Sequence, residues 1–186
     1  MKRSAVFLDK DGTLVEDVPY NVDPALLRFT PGALPALRRL QALGHALFVV
    51  TNQPGLALGR FDHGAWQRLE AALHRRLANA GIRLDGLYHC PHAPGAGCGC
   101  RKPAAGLLRE AALAHRIDLA ASWMVGDILD DIEAGQRAGC RAILLDVGHE
   151  TLWQPGPYRT PTFRAKDLPE AVRHIEAALL TEQVVA

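Results

Sequence analysis

The chain has 186 residues, 48% of them apolar and 22% charged, with a formal net charge of +1. This is ordinary globular composition and enough length for one well-buried domain, read here as spanning residues 1–186. The balance of charge gives no case for a nucleic-acid or membrane-surface partner. No apolar run approaches the ~20 residues of a membrane span, and the first strand follows only Met1-Lys2-Arg3-Ser4. A cytoplasmic monomer is expected.

Val6-Phe7-Leu8 is a short apolar run that ends in Asp9-Lys10-Asp11-Gly12-Thr13. It reads as a buried parallel strand with two acids at its carboxyl end. Glu16 to Thr30 is polar, contains proline and is long for a connector, so it is either a flap or an irregular surface loop. Thr30-Pro31-Gly32 opens a helix whose buried stripe is Leu34, Leu37, Leu40 and Leu43, stopped by Gly44. Ala46 to Val50 is a second strand, ending in Thr51-Asn52-Gln53. A helix over about 62–80 carries Trp66, Leu69, Leu73 and Leu77 on one face, with Gly81 as its cap.

Leu84 to His89 is a weaker strand, followed by a Gly, Pro, Ala and Cys loop from Cys90 to Cys100. The helix after Pro103 has Leu107, Leu108, Ala111 and Leu113 as core candidates. Ser122 to Val125 is a strand ending in Gly126-Asp127, and the next helix runs to about Ala138, stopped by Gly139. Arg141 to Leu145 is another strand. Residues 146–162 are Gly/Pro-rich and irregular. Thr162 to Ala165 and Leu168 to Leu180 are a last strand and helix, with a frayed tail from Thr181 to Ala186. Alternating strands and helices imply an α/β fold: a Rossmann-like, three-layer α/β/α arrangement around a parallel sheet, with right-handed crossovers. No insertion is large enough for a separate cap domain. Asp9, Thr51, the 90–103 loop and Asp127 all follow strands, so they gather at one edge of the sheet, where such folds bind ligands.

Three carboxylates there, Asp9, Asp11 and Asp127, repel one another by about 4 kcal/mol per pair at ~4 Å and an effective dielectric of 20. Mg²⁺ answers this, because it takes oxygen ligands and bridges to phosphate. With the phosphoryl charge neutralised by metal and by Lys102, an Asp carboxylate can attack phosphorus while a second acid protonates the leaving oxygen. Thr51 and free backbone N–H groups at helix starts form the candidate phosphate cradle. Cys90, His92, Cys98 and Cys100 supply four ligands within eleven residues, a set that suits a closed, structural tetrahedral Zn²⁺. His89 is read as a neighbour of this set and Cys140 as core. His45, His63, His74, His115 and His149 have no partner pattern and are read as surface or half-buried. Trp66, Trp123 and Trp153 are read as packing, and Asp130 as a solvated charge at a helix start.

These residues resemble the four motifs of the haloacid dehalogenase superfamily of phosphatases. Asp9-Lys10-Asp11-Gly12-Thr13 is similar to DxDGT, and Thr51-Asn52-Gln53 to the second motif. Lys102 in Cys100-Arg101-Lys102-Pro103 is similar to the third, and Gly126-Asp127-Ile128-Leu129-Asp130-Asp131 to GDxxxD. The likeness spans roughly residues 4–180. Cys90-Pro91-His92, Cys98-Gly99-Cys100 and Thr51-Asn52-Gln53-Pro54-Gly55 point to the branch of histidinol phosphatases and heptose-bisphosphate phosphatases. The resemblance implies Asp9 as nucleophile, forming an aspartyl-phosphate, and Asp11 as general acid and then base. It implies Mg²⁺ held by the Asp9 and Asp127 side chains and the Asp11 carbonyl, phosphoryl binding by Thr51 and Lys102, and substrate positioning by Asn52 and Arg101. Asp131 would orient metal-bound waters.

The implied activity is hydrolysis of a small phosphorylated metabolite, with D-glycero-D-manno-heptose 1,7-bisphosphate (7-phosphate) leading and histidinol phosphate second. A receiver-like phosphoacceptor domain and a zinc-ribbon nucleic-acid module are rivals from other classes. The Gly12-Thr13 pair and the zinc loop argue against the first. The absence of a basic face argues against the second. Two positions depart from the heptose-bisphosphate pattern: Ile128 stands where a Lys is expected and Leu58 where an Arg is expected. Substrate choice would fall to residues 14–30, 53–61 and 90–101.

Overall fold

A computed structural model describes residues 3–185. Six strands form one sheet: β1 (Ala5–Leu8), β2 (Ala46–Asn52), β3 (Gly86–Cys90), β4 (Trp123–Gly126), β5 (Arg141–Leu145) and β6 (Phe163–Ala165). Their order is β3-β2-β1-β4-β5-β6, and every neighbouring pair is parallel. Five α-helices cover it: α1 (Ala33–Ala42), α2 (His63–Asn79), α3 (Gly106–His115), α4 (Leu129–Ala138) and α5 (Leu168–Val185). The expected α/β layering is therefore present. The final helix continues through Val185 instead of fraying after Leu180, and Ala186 lies outside the described residues.

The strand alternation explains the two cores. Val6 and Leu8 of β1 face the layer of α1, α2 and α5, where they join Leu37, Leu40, Trp66, Leu73 and Ile175. Ala5 and Phe7 face α3 and α4, among Leu107, Leu108, Met124 and Ile132. Because a parallel sheet is covered on both faces, all four residues of β1 are buried. Cys140 belongs to the second core, as expected. Leu113 does not: it is 86% exposed. Leu107, Leu108, Ala111 and Ala112 share one face of α3, and at about 100° per residue Leu113 turns away from it. Leu34 and Leu43 are likewise only partly buried, and α1 packs through Ala33, Ala36, Leu37 and Leu40.

The 16–30 connector is anchored. Its base closes through an antiparallel bridge between Val15 and Phe29. A single 3₁₀ turn, Pro24–Leu26, is capped by Asp23. Arg76 of α2 donates to the carbonyls of Leu27 and Pro24. The chain direction switches between β1 and β4, since β2 and β3 lie to one side and β5 and β6 to the other. A crevice at the carboxyl end of that switch is the expected ligand position in this topology.

Candidate active site

Asp9 follows β1 and Asp127 follows β4, so the switch point sets them side by side. The Asp9 amide donates to the Val125 carbonyl at 2.9 Å, which extends the β1–β4 pairing to the first acid. Carboxylate oxygens of Asp9, Asp127 and Asp131 lie within 4.8 Å of one another, and all three residues are buried. Burial pushes the Asp9 carboxyl up to about 7, with the nearby Asp131 and Asp11 charges adding to the rise and Lys102 opposing it. Burial also raises Asp127 and Asp131. An all-oxygen, electron-rich set short of positive charge fits a hard divalent cation that keeps part of its water shell.

Lys102 reaches this cluster from the far end of the Cys-rich loop. Its ammonium donates to Asp9 and to the Val50 carbonyl at 2.9 Å, and lies 2.6 Å from Asp131. Burial works against its charge, but Asp131 and Asp9 outweigh it, so the ammonium is held charged. Asn52 locks the approach: its amide donates to the Lys102 carbonyl at 3.1 Å, and its carbonyl accepts from the Lys102 amide at 3.0 Å. The Asn52 side chain thus holds the backbone of Lys102.

Asp11 sits at the rim, its carboxylate between two donors. Gln53 donates to one oxygen at 3.0 Å and Lys10 to the other. Gln53 also donates to the Thr51 hydroxyl at 3.0 Å, tying the first motif to the second. Lys10 is itself buried and lies 5.9 Å from the centre of the Trp66 ring. Gly12 has φ +82°, and a Cβ there would come within 2.4 Å of Asp127 Oδ2 and 2.6 Å of His149 Nδ1. Only glycine both accepts that conformation and leaves room.

His149 corrects the sequence reading, which gave it no partner. Its Nδ1 lies 2.7 Å from Asp127 Oδ2, while the Thr13 hydroxyl donates to Asp127 Oδ1 at 3.1 Å. No local pattern announces this contact, because 22 residues separate the pair. Asp130 is corrected as well. It is ion-paired with Arg159, which also donates to Glu133 at 2.7 Å. Asp131 is fully buried against Lys102, and it accepts from the Ile128 amide at 3.3 Å. His45 is buried too, 2.9 Å from the Ser4 hydroxyl. His89 packs on Trp66 with ring centres 5.0 Å apart, away from the thiols, as expected.

Cys90, at the end of β3, begins the second cluster. Its Sγ lies 3.2 Å from Cys100 Sγ, 3.7 Å from Cys98 Sγ and 3.5 Å from His92 Nδ1. The edge of a tetrahedron with ~2.3 Å metal–sulfur bonds is about 3.8 Å, so these spacings suit one zinc ion with little movement. Burial pushes Cys90 up to about 12. Burial opposes ionisation of Cys98 too, but the Arg101 amide and the other thiols outweigh it and bring Cys98 down to about 6. Arg101 and Lys102 line a cleft of about 490 Å³ beside this loop, with Pro94, Cys98, Asp130 and Arg137. A second hollow of about 560 Å³ is lined by Gly12, Thr13, Glu16, Thr30 and His149. Ile128 is partly buried and Leu58 is exposed, so neither supplies a cation.

The HAD-hydrolase-like family model matches residues 99–171. The chain is 37% identical over 185 residues to the D-glycero-beta-D-manno-heptose-1,7-bisphosphate 7-phosphatase of Escherichia coli (strain K12), covering 91% of this chain and 93% of that protein. It is 37% identical over 188 residues to the protein of the same name from Photorhabdus laumondii, covering 92% and 96%. Its fold is similar to the crystal structure of D,D-heptose 1,7-bisphosphate phosphatase from B. bronchiseptica complexed with magnesium and phosphate. The TM-score is 0.82, with 36% identity and coverage of 96% of this chain and 99% of that one.

Proposed function

The chain belongs to the haloacid dehalogenase-like phosphatases, and from that premise we propose that it hydrolyses the 7-phosphate of D-glycero-D-manno-heptose 1,7-bisphosphate. Two relatives that match over more than nine-tenths of its length carry that activity in their names. The observation that carries the reading is the convergence of Asp9, Asp127 and Asp131 at the switch point of the sheet, with the Lys102 ammonium paired to Asp9 and Asp131.

In the mechanism, an Asp9 oxygen attacks phosphorus. An O–P bond forms, and the bond to the sugar oxygen breaks as Asp11 delivers a proton to that oxygen. Water then attacks the aspartyl-phosphate, Asp11 takes the water's proton, and Asp9 leaves as a carboxylate. The Thr51 hydroxyl and the Lys102 ammonium hold the phosphoryl oxygens. The Asp9 and Asp127 side chains and the Asp11 carbonyl would hold Mg²⁺, which would supply neutralisation of phosphoryl charge. Gln53 and Lys10 hold the Asp11 carboxylate between them, Asn52 keeps Lys102 in place, and Arg101, on the wall of the cleft beside the Cys-rich loop, would position substrate. Cys90, His92, Cys98 and Cys100 would hold Zn²⁺, which would fix the loop that ends in Arg101-Lys102.

Ile128 and Leu58 favour a second reading, in which the substrate is a monophosphate with a less charged distal part, such as histidinol phosphate. Phosphate release from heptose 1,7-bisphosphate, histidinol phosphate, other sugar phosphates and p-nitrophenyl phosphate, each with Mg²⁺, tests both. The first reading expects the heptose bisphosphate to give the highest kcat/KM. No turnover of any ester would overturn the phosphatase assignment.

A further inference from the structure

We infer that His149 is the residue that orients Asp127 for the divalent cation, and that it sets the preference for Mg²⁺ over Ca²⁺. The inference rests on the reading of Asp127 as a metal ligand. Four observations carry it. The imidazole Nδ1 lies 2.7 Å from Asp127 Oδ2. The other oxygen, Oδ1, accepts from the Thr13 hydroxyl at 3.1 Å, so the carboxylate is held from both ends. The turn between these two donors has been cleared for the contact, since any side chain at Gly12 would collide with Asp127 Oδ2 and His149 Nδ1 together. The loop that carries the imidazole is also pinned, because Glu150 accepts from the Leu129 amide at 2.6 Å, two residues after Asp127.

The carboxylate acceptor assigns the proton to Nδ1, and the rest of the ring faces outward, with the side chain 41% exposed. A ligand held by such an outer partner loses less freedom when it binds, and removal of the partner typically costs 10–100-fold in metal affinity. The loss is unequal between cations. Mg²⁺ requires near-ideal octahedral geometry at short bonds, whereas Ca²⁺ accepts variable numbers and directions of oxygens. A carboxylate fixed in advance therefore favours Mg²⁺ more than Ca²⁺. A loop histidine that only braced the fold would not move that ratio.

The test uses the full-length, zinc-loaded protein. Free Mn²⁺ is counted by electron paramagnetic resonance, with Mg²⁺ and Ca²⁺ as competitors, in the native protein and in His149→Ala, His149→Gln and Asp127→Asn. The expected result is a rise in the Mg²⁺ Kd of about 10–100-fold in His149→Ala. The Ca²⁺ Kd should rise several-fold less, so that the Mg²⁺/Ca²⁺ preference narrows. His149→Gln, which retains an N–H donor, should recover part of both, and Asp127→Asn should abolish binding. Native Mg²⁺ affinity in His149→Ala, with binding lost in Asp127→Asn, would overturn the role of His149 alone. Equal losses for the two cations would overturn the selectivity argument. Native Mg²⁺ binding by Asp127→Asn would overturn the metal-site reading and this inference with it.

Discussion

Lys102 Nζ lies 2.6 Å from Asp131 Oδ1 with the two side chains only 2% and 0% exposed, and the same ammonium donates to Asp9. One buried cation therefore balances two buried carboxylates across the floor of the site. Replacing it with an apolar side chain leaves both acids unpaired, a change that costs about 3–5 kcal/mol when a buried pair is broken. Lys102→Met should lower the urea midpoint of the metal-free protein accordingly, and saturating Mg²⁺ should restore part of the loss. An unchanged midpoint would show that the pair carries little net stability.

Asp9 provides a pH signature. Its ordinary value of 3.8 is raised to about 7 in the fold, so the folded chain keeps a proton that the unfolded chain gives up. Its contribution to stability is complete below 3.8 and is lost as pH climbs through about 7. Burial moves Asp127 and Asp131 in the same direction. Metal-free protein should therefore melt at progressively lower temperature as pH climbs from about 4 to 7, and Asp9→Asn should flatten part of that slope. Thermal melts in chelator across the window check this; the same slope in both proteins would contradict it.

The two aspartates of the first motif should separate cleanly. Asp9→Asn should abolish turnover, because an amide neither attacks phosphorus nor serves as an anionic metal ligand. Asp11→Asn keeps its backbone carbonyl but loses proton transfer, and should slow kcat by roughly 10²–10⁴-fold. Steady-state kinetics decide the matter, and full activity in Asp9→Asn would remove the proposed nucleophile.

Ile128, partly buried directly after Asp127, adds no charge of its own there. Ile128→Lys should raise kcat/KM for bisphosphates relative to monophosphates, by up to about fivefold for one charge contact of ~1 kcal/mol. Side-by-side assays on one bisphosphate and one monophosphate measure the ratio. A strong native preference for the bisphosphate that does not shift in the variant would place distal-phosphate recognition elsewhere.

Cys98→Ser should lose zinc while keeping the sheet and Mg²⁺ binding. The Gly, Pro and Ala residues between the ligands bury too little surface to hold the loop, so coordination replaces a core there. Arg101 and Lys102 follow the cluster directly, and a shift of ~1 Å in such a group can cost about 100-fold in rate. Elemental analysis should find about one zinc per native chain, and the variant should show a raised KM or lowered kcat and faster proteolysis of the loop. Full activity in metal-stripped protein given Mg²⁺ alone would refute a structural role for zinc.

Much of this was legible in the sequence, for reasons of period and spacing. Apolar runs ending in acids or Thr-Asn declared the strands of a parallel sheet. Because such strands all point the same way, Asp9, Thr51, Lys102 and Asp127 could be set at one edge before any coordinates. The Cys and His ligands were legible because they lie within one loop and their residue types are distinctive. Leu113 was misread because a run of apolar residues does not say which of them faces the sheet, and the helical turn after Leu108 sends it to solvent.

What only the tertiary structure decided is how the charges are shared. That Lys102 bridges Asp9 and Asp131, that Gln53 reaches Asp11, and that His149 holds Asp127 all depend on contacts between distant segments. The sequence determines which chemistry-bearing residues reach the edge, since the parallel direction of the strands follows from their alternation with helices. It leaves open which partner each buried charge finds there, because that depends on distances and desolvation that exist only once the loops after β1, β2, β3, β4 and β5 have packed together.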